Sequence, residues 1–218
     1  MKIFLDLDGT LINNSVRQCL LLNAKAMLHD RTLDSEAVWR AKREGQSNRQ
    51  VLAELQFAGH EIDEICDAWT KDIETPYWLS LDSVIPGVDA ALRALSRDND
   101  LALLTARQNR ANLLAQLYAK DLERYFTEIQ VVSPKRVVEE KARVLEDEGA
   151  DLFVGDGETD FRAASQAGVR FIGVSSGQRS EAFLMRSGIT EIFADLPDAI
   201  ARGAFGGAIA PRNPSAGM

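Results

Sequence analysis

Apolar residues follow two different periods along this chain. Four short runs lack any polar alternation, Ile3-Phe4-Leu5, Leu101-Ala102-Leu103-Leu104, Leu152-Phe153-Val154 and residues 171–174, and a fifth, residues 129–132, is interrupted by Gln130 alone. Such runs are the pattern of strands covered on both faces, as in the middle of a parallel sheet. The segments between and after them carry apolar residues three and four apart. They predict helices at 110–118 (Leu113, Leu114 and Leu117 inward), 135–148, 158–167, 180–186 and 197–201. Gly168 stops the third of these. A further helix, with Val88, Ala91, Leu92 and Leu95, precedes the second strand. Strands alternating with helices predict an α/β fold, a Rossmann-like parallel sheet of about five strands with helices on both faces.

The alternation is interrupted once. No convincing strand lies between Ser15 and Thr75, and the spacing there is helical throughout. Helices are predicted over 16–29, from an Asp34 or Ser35 cap through Trp39, from a Ser47 or Asn48 cap through Phe57, and over 62–73. Pro76-Tyr77-Trp78 ends them. Residues 14–81 therefore read as an all-helical insert after the first strand, joined to the core near Asn13-Asn14 and Ser80-Leu81. The core is residues 1–13 and 82–202, and the Gly/Ala/Pro-rich stretch 203–218 reads as a flexible tail.

Composition narrows the function classes. The 218 residues, 45% hydrophobic and 27% charged, suit a globular protein with one core and a smaller insert. A net charge of −8 argues against nucleic acid as a partner, because phosphate backbones require Lys and Arg surfaces. No apolar run reaches the ~20 residues of a membrane span. Met1-Lys2 leads directly into the first strand, which leaves no room for a signal peptide and makes the cytoplasm the expected location. Cys19 and Cys66 lie in helical segments and read as thiols rather than a disulfide.

The polar residues that change the picture stand at strand ends. Asp6 and Asp8 follow the first strand, with Gly9 supplying a turn, Thr105 follows the second, and Asp156 follows the fourth. Right-handed crossovers align parallel strands, so their carboxyl ends share one edge, where open α/β sheets bind ligands. A hydroxyl and three carboxylates then surround one crevice. Acids this close repel unless a cation lies between them, and oxygen-only ligands suit Mg²⁺.

Asp6-Leu7-Asp8-Gly9-Thr10, Leu103-Leu104-Thr105-Ala106-Arg107, Lys141 and Val154-Gly155-Asp156-Gly157-Glu158-Thr159-Asp160 resemble, in order and spacing, the motifs of the haloacid dehalogenase superfamily. The helical insert is similar to the α-helical cap of its phosphoglycolate-phosphatase-like members. The resemblance covers roughly residues 1–201 and implies a Mg²⁺-dependent phosphatase acting on a small phosphate monoester. It implies Asp6 as the nucleophile that forms an aspartyl-phosphate, and Asp8 as general acid and then base. Like-charge repulsion would favour the protonated form of Asp8. Asp6, the Asp8 backbone carbonyl and Asp156 would hold Mg²⁺, with Asp160 as a further ligand or orienting a metal-bound water. Thr105 and the backbone at Ala106 and Leu7 would bind phosphate, and a lysine would neutralise the transferring group. The resemblance favours Lys141 for that lysine, with Lys135 as the alternative.

Asp8 also separates the chain from the halide-removing members, which lack that acid. The phosphonate-cleaving branch uses a cap lysine, and none of Lys25, Lys42 and Lys71 has an evident apolar surrounding in the sequence. The basic stretch Arg40-Ala41-Lys42-Arg43, with Arg49, is expected to face the crevice and read an anionic leaving group, whereas Trp39, Trp69 and Trp78 read as core. A phosphomutase of the β-phosphoglucomutase type would use the same site. An aspartyl-phosphate signalling module is the reading from another class, and the long insert argues against it.

Overall fold

The computed structural model describes residues 1–206. Its apolar runs form a sheet whose strands are all parallel: β1 (Lys2–Leu5), β4 (Asp100–Ala106), β5 (Glu128–Val132), β6 (Leu152–Gly155), β7 (Arg170–Val174) and β8 (Ile192–Phe193), in the spatial order β5-β4-β1-β6-β7-β8. The first strand is central, with Ile3 opposite Leu101 on one side and Leu152 on the other. The sixth strand has no counterpart in the sequence reading, because two residues carry no period.

Side chains alternate across the sheet and meet two separate layers. Ile3 and Leu5 join Leu101, Leu103 and Val154 beneath α6 (Val88–Leu95), α7 (Arg110–Ala119) and α11 (Leu196–Ala201). Phe4 joins Ala102, Leu104 and Phe153 beneath α8 (Val137–Asp147), α9 (Glu158–Ala167) and α10 (Glu181–Arg186). Burial on both faces explains why these strands show no alternation in sequence.

The insert comprises α1 (Ser15–Met27), α2 (Ser35–Arg43), α3 (Asn48–Glu54) and α4 (Gly59–Asp72). Its own core includes Leu22, Val38, Leu52, Phe57 and Ile65, with Trp39 and Trp69 packed against it. Asp34 caps α2, and Ser47 with Gln50 forms a reciprocal cap on α3. Pro76, expected to terminate helix, instead opens a short one, α5 (Pro76–Leu79), at the position where a missing N–H costs nothing.

The two connections to the core run side by side. β2 (Ile12–Asn13) pairs antiparallel with β3 (Ser83–Val84), placing Asn13 opposite Ser83. Arg17, at the base of α1, donates to Asp82 Oδ1 at 2.9 Å and to the Ile73 carbonyl at 2.9 Å. Of the expected tail, Ala204 is buried and Phe205 packs against the core, while residues 207–218 lie outside the described residues. Cys19 is buried, Cys66 half-buried, and both are free thiols. Among the described residues no helix is long and apolar enough to cross a membrane.

Candidate active site

β1 ends at Leu5, and Gly9, with φ of 80°, turns the chain back so that its N–H donates to the Ile12 carbonyl. Asp6 and Asp8 thus stand at the carboxyl edge of the central strand. They line a cavity of about 180 Å³ together with Thr105 and Ala106 at the end of β4, Asp156 after β6, Lys141 on α8 and Asp160 on α9. Every side chain singled out in the sequence for this chemistry therefore reaches one place, except Lys135, which is exposed.

Carboxylate oxygens of Asp6, Asp156 and Asp160 lie within 4.8 Å of one another. Lys141, only 2% exposed, donates to Asp6 Oδ1 at 2.8 Å and to Asp160 Oδ1 at 2.7 Å. One ammonium offsets three buried acids, so negative charge is in excess. Burial, partly opposed by Lys141, pushes Asp6 up to about 7. Burial and the charges of Asp6 and Asp160 push Asp156 well above the carboxylate range. Lys141 is pushed above its ordinary value, because its two carboxylate partners outweigh its burial. An oxygen-only, negatively charged pocket of this kind fits a hard divalent cation.

Glycines make the close packing possible. A side chain on Gly9 or Gly177 would overlap the Asp156 carboxylate, and one on Gly155 would overlap Asp160. Asp156 Oδ2 accepts from the Gln178 N–H at 2.6 Å, which fixes its direction.

Asp8 departs from expectation. It is not left protonated by repulsion: Arg17 donates to its Oδ1 at 2.6 Å, Arg107 lies 2.7 Å from its Oδ2, and Asn14 donates at 3.0 Å. Burial alone would raise its pKa, but the two guanidinium groups and Asn14 outweigh it and hold the carboxyl below its usual value. Nearby, Thr10 Oγ1, Asn14 Oδ1 and Arg107 Nε are buried without a partner.

The basic cap stretch is also placed differently from its reading, since none of Arg40, Lys42, Arg43 and Arg49 lines the cavity. Arg43 donates to the carbonyls of Gly177 (2.7 Å) and Ser175 (3.0 Å), fastening α2 to the segment after β7, and Arg49 pairs with Asp63 on the surface. Lys42 contradicts the expectation that no cap lysine is desolvated. It is buried beside Trp69, its pKa lowered to about 8 by that burial, and its Nζ donates to Gln18 rather than into the cavity.

Arg17, Gln18, Gln178 and Arg179 belong to no motif in the sequence. Gln18, Gln178 and Arg179 line the cavity, the last held by Glu158 at 2.7 and 3.0 Å. Each looks like a solvated helix or loop residue in sequence. Arg107 stands within a motif segment but without a role there.

Comparison with known proteins agrees with this geometry. No curated protein matches the chain. Among solved structures, it is similar to a haloacid dehalogenase-like family hydrolase from Streptococcus pneumoniae (TM-score 0.75, 17% identity, 92% of this chain and 97% of that one). It is also similar to a predicted phosphoglycolate phosphatase from Haemophilus somnus (TM-score 0.67, 21% identity, 92% and 96%). A third likeness is to a predicted phosphatase from Clostridium acetobutylicum (TM-score 0.72, 18% identity, 94% and 97%). At these identities the likeness is one of fold. The model of the haloacid dehalogenase-like hydrolases, however, matches residues 3–174, a span that takes in all four motif segments and the whole insert, and the chain belongs to that family.

Proposed function

We propose that the protein is a Mg²⁺-dependent phosphatase that hydrolyses a small phosphate monoester through an aspartyl-phosphate on Asp6. The observation that carries this reading is the convergence of Asp6, Asp156 and Asp160 within 4.8 Å, with Lys141 between Asp6 and Asp160. Asp6, Asp156 and the Asp8 backbone carbonyl would hold the ion, with Asp160 beside them. Bound there, Mg²⁺ supplies charge neutralisation that lets an anionic phosphate approach an anionic nucleophile.

The chain's own groups account for the remaining steps. The Asp6 carboxylate attacks phosphorus while the leaving alcohol oxygen takes a proton from Asp8, and water activated by Asp8 then hydrolyses the acyl phosphate. Asp8 takes up its proton only when Arg17 and Arg107 loosen their hold, so its clamped state is the resting one. Lys141 spreads the charge of the phosphoryl group, and Thr105 and Ala106 receive its oxygens. The cap, latched by Arg43, keeps bulk water out. A cavity of about 180 Å³ is small beside typical ligand pockets of roughly 300–1,000 Å³, which favours an ester with few atoms beyond the phosphate.

The test is a screen of phosphorylated small molecules with and without Mg²⁺, with Asp6→Asn as the blank. Inorganic phosphate is expected to appear only with native protein and metal. Equal release by Asp6→Asn would remove the reading, and isomerisation of a sugar phosphate without phosphate release would assign a mutase instead.

A further inference from the structure

At the base of α1 one side chain stands in a capping position without capping. Asn14 is the N-cap of that helix, where a carboxamide oxygen ordinarily accepts from the N–H groups of the first turn. Its backbone carbonyl does accept, from the Gln18 N–H at 3.0 Å, but its side chain takes none of those donors. Asn13 accepts from the Ser15 N–H at 2.9 Å instead. The Asn14 side chain is bonded to the core, where its Nδ2 donates to Asp8 Oδ1 at 3.0 Å. An ionised carboxylate only accepts, so the amide nitrogen is the end that faces Asp8 and the oxygen is the end left over.

That oxygen supplies a second observation. Asn14 Oδ1 is buried without a partner, in a residue only 4% exposed. Thr10 Oγ1 and Arg107 Nε also lack partners nearby, but of the three residues Asn14 alone lines the cavity. A buried acceptor without a donor destabilises a fold, and so does a cap forgone. A donor that arrives during the reaction accounts for both. The other end of the same carboxamide is bonded to Asp8, which takes a proton from the attacking water in the reaction above. Water carries two O–H groups, one for each of the two acceptors.

We propose that Asn14 is a catalytic residue of the second half of the reaction, one that selects water as the acceptor of the phosphoryl group. When Asp8 leaves the hold of Arg17 and Arg107, the carboxamide bonded to it follows. The water oxygen bonds to phosphorus as the bond from phosphorus to the Asp6 carboxylate breaks, its electron pair returning to Asp6. One water proton passes to Asp8. The other stays on the oxygen and is held by Asn14 Oδ1. An alcohol has a single O–H group, which Asp8 takes, so it leaves the Asn14 oxygen unpaired. The inference rests on the phosphatase reading and deepens it, because it accounts for hydrolysis rather than return of the group to a hydroxyl.

Radiolabelled acetyl phosphate is the probe. Its acetate departs without a proton, so charging of Asp6 does not depend on Asp8, and where it fails to charge the protein a labelled ester found by the screen replaces it. With Mg²⁺ present, acid-quenched samples give separately the rate at which label appears on the protein and the rate at which it leaves. Methanol is added as a competing acceptor. Asn14→Leu keeps the size of the side chain and removes the oxygen. It is expected to slow departure of the label about 100-fold, as for a misplaced reactant, while charging stays within about threefold. It is also expected to lower the preference for water over methanol about tenfold. Asn14→Ala is the second variant, with the same outcome expected, and charging reports in each that the site is folded. Equal slowing of both steps would overturn the inference, as would a native rate of departure or a native acceptor preference. Failure of both variants to charge would overturn it too, by placing Asn14 in the fold or the first half. Absence of label on the native protein, with no phosphate released from any ester, would overturn the phosphatase reading instead.

Discussion

Lys141 bridges Asp6 and Asp160 with a single ammonium, and two expectations follow from it. Removing the ammonium leaves the two acids facing each other unscreened and takes a cation from the path of the phosphoryl group. Lys141→Ala is therefore expected to lower kcat about 100- to 1,000-fold, whereas Lys135→Ala, at an exposed position, stays within about twofold. Parallel steady-state assays decide between them. The second expectation concerns pH. Burial raises Asp6 from 3.8 to about 7, so between those values the metal-free folded protein holds a proton that the unfolded chain has released. Its stability then falls as pH rises across that window, by an amount on the order of a few kcal/mol, and Asp156 acts in the same direction. Melting temperatures in chelator are expected to decline from about pH 4.5 to 7.5, and Mg²⁺ to restore most at the upper end. A rise in chelator would contradict the excess of negative charge described here.

The turns that end β1 and β6, and the segment after β7, carry the tolerances of the site. Gly177→Ala would drive a methyl into the Asp156 carboxylate, so it is expected to weaken Mg²⁺ binding about 10- to 100-fold. Gly59, at the start of α4, has open space for 4 Å around the point where a Cβ would stand, and Gly59→Ala is expected to add about 0.5–1 kcal/mol in chemical denaturation. This difference between two glycines cannot be seen in sequence, since it depends on which backbone approaches which carboxylate. The parallel strands and their polar ends were legible, because burial on both faces leaves continuous apolar runs and a metal–phosphate site needs acids at one edge. Arg17 and Gln18 were not, because polar residues on a helix ordinarily face water. They are buried here because the base of α1 sits against the core. The burial of Lys42 is hidden in the sequence for the same reason, since its surroundings are supplied by α1 and α4 rather than by its neighbours along the chain.

At the scale of the whole molecule, the apolar cores of the sheet and of the insert are separate. Those on the faces of the sheet contain no residue of the insert, and the one within the insert contains no residue of the sheet. Polar bonds join the two bodies: those of Arg43 to Ser175 and Gly177, the Glu44 pairing with Ser180 and Arg186, and the Gln18–Gln178 bond. Such an interface opens more readily than a packed one. Arg43→Ala, which removes two of these bonds from a residue outside the cavity, is expected to raise KM several-fold with a smaller change in kcat, as measured in steady-state assays. The antiparallel pair at Asn13 and Ser83 adds a topological consequence. Both passages of the backbone leave the sheet through a single doorway, so everything beyond it is a cassette: a different set of helices could be spliced in between those two residues without re-threading any strand, and evolution could exchange the selector while leaving the reactive floor untouched.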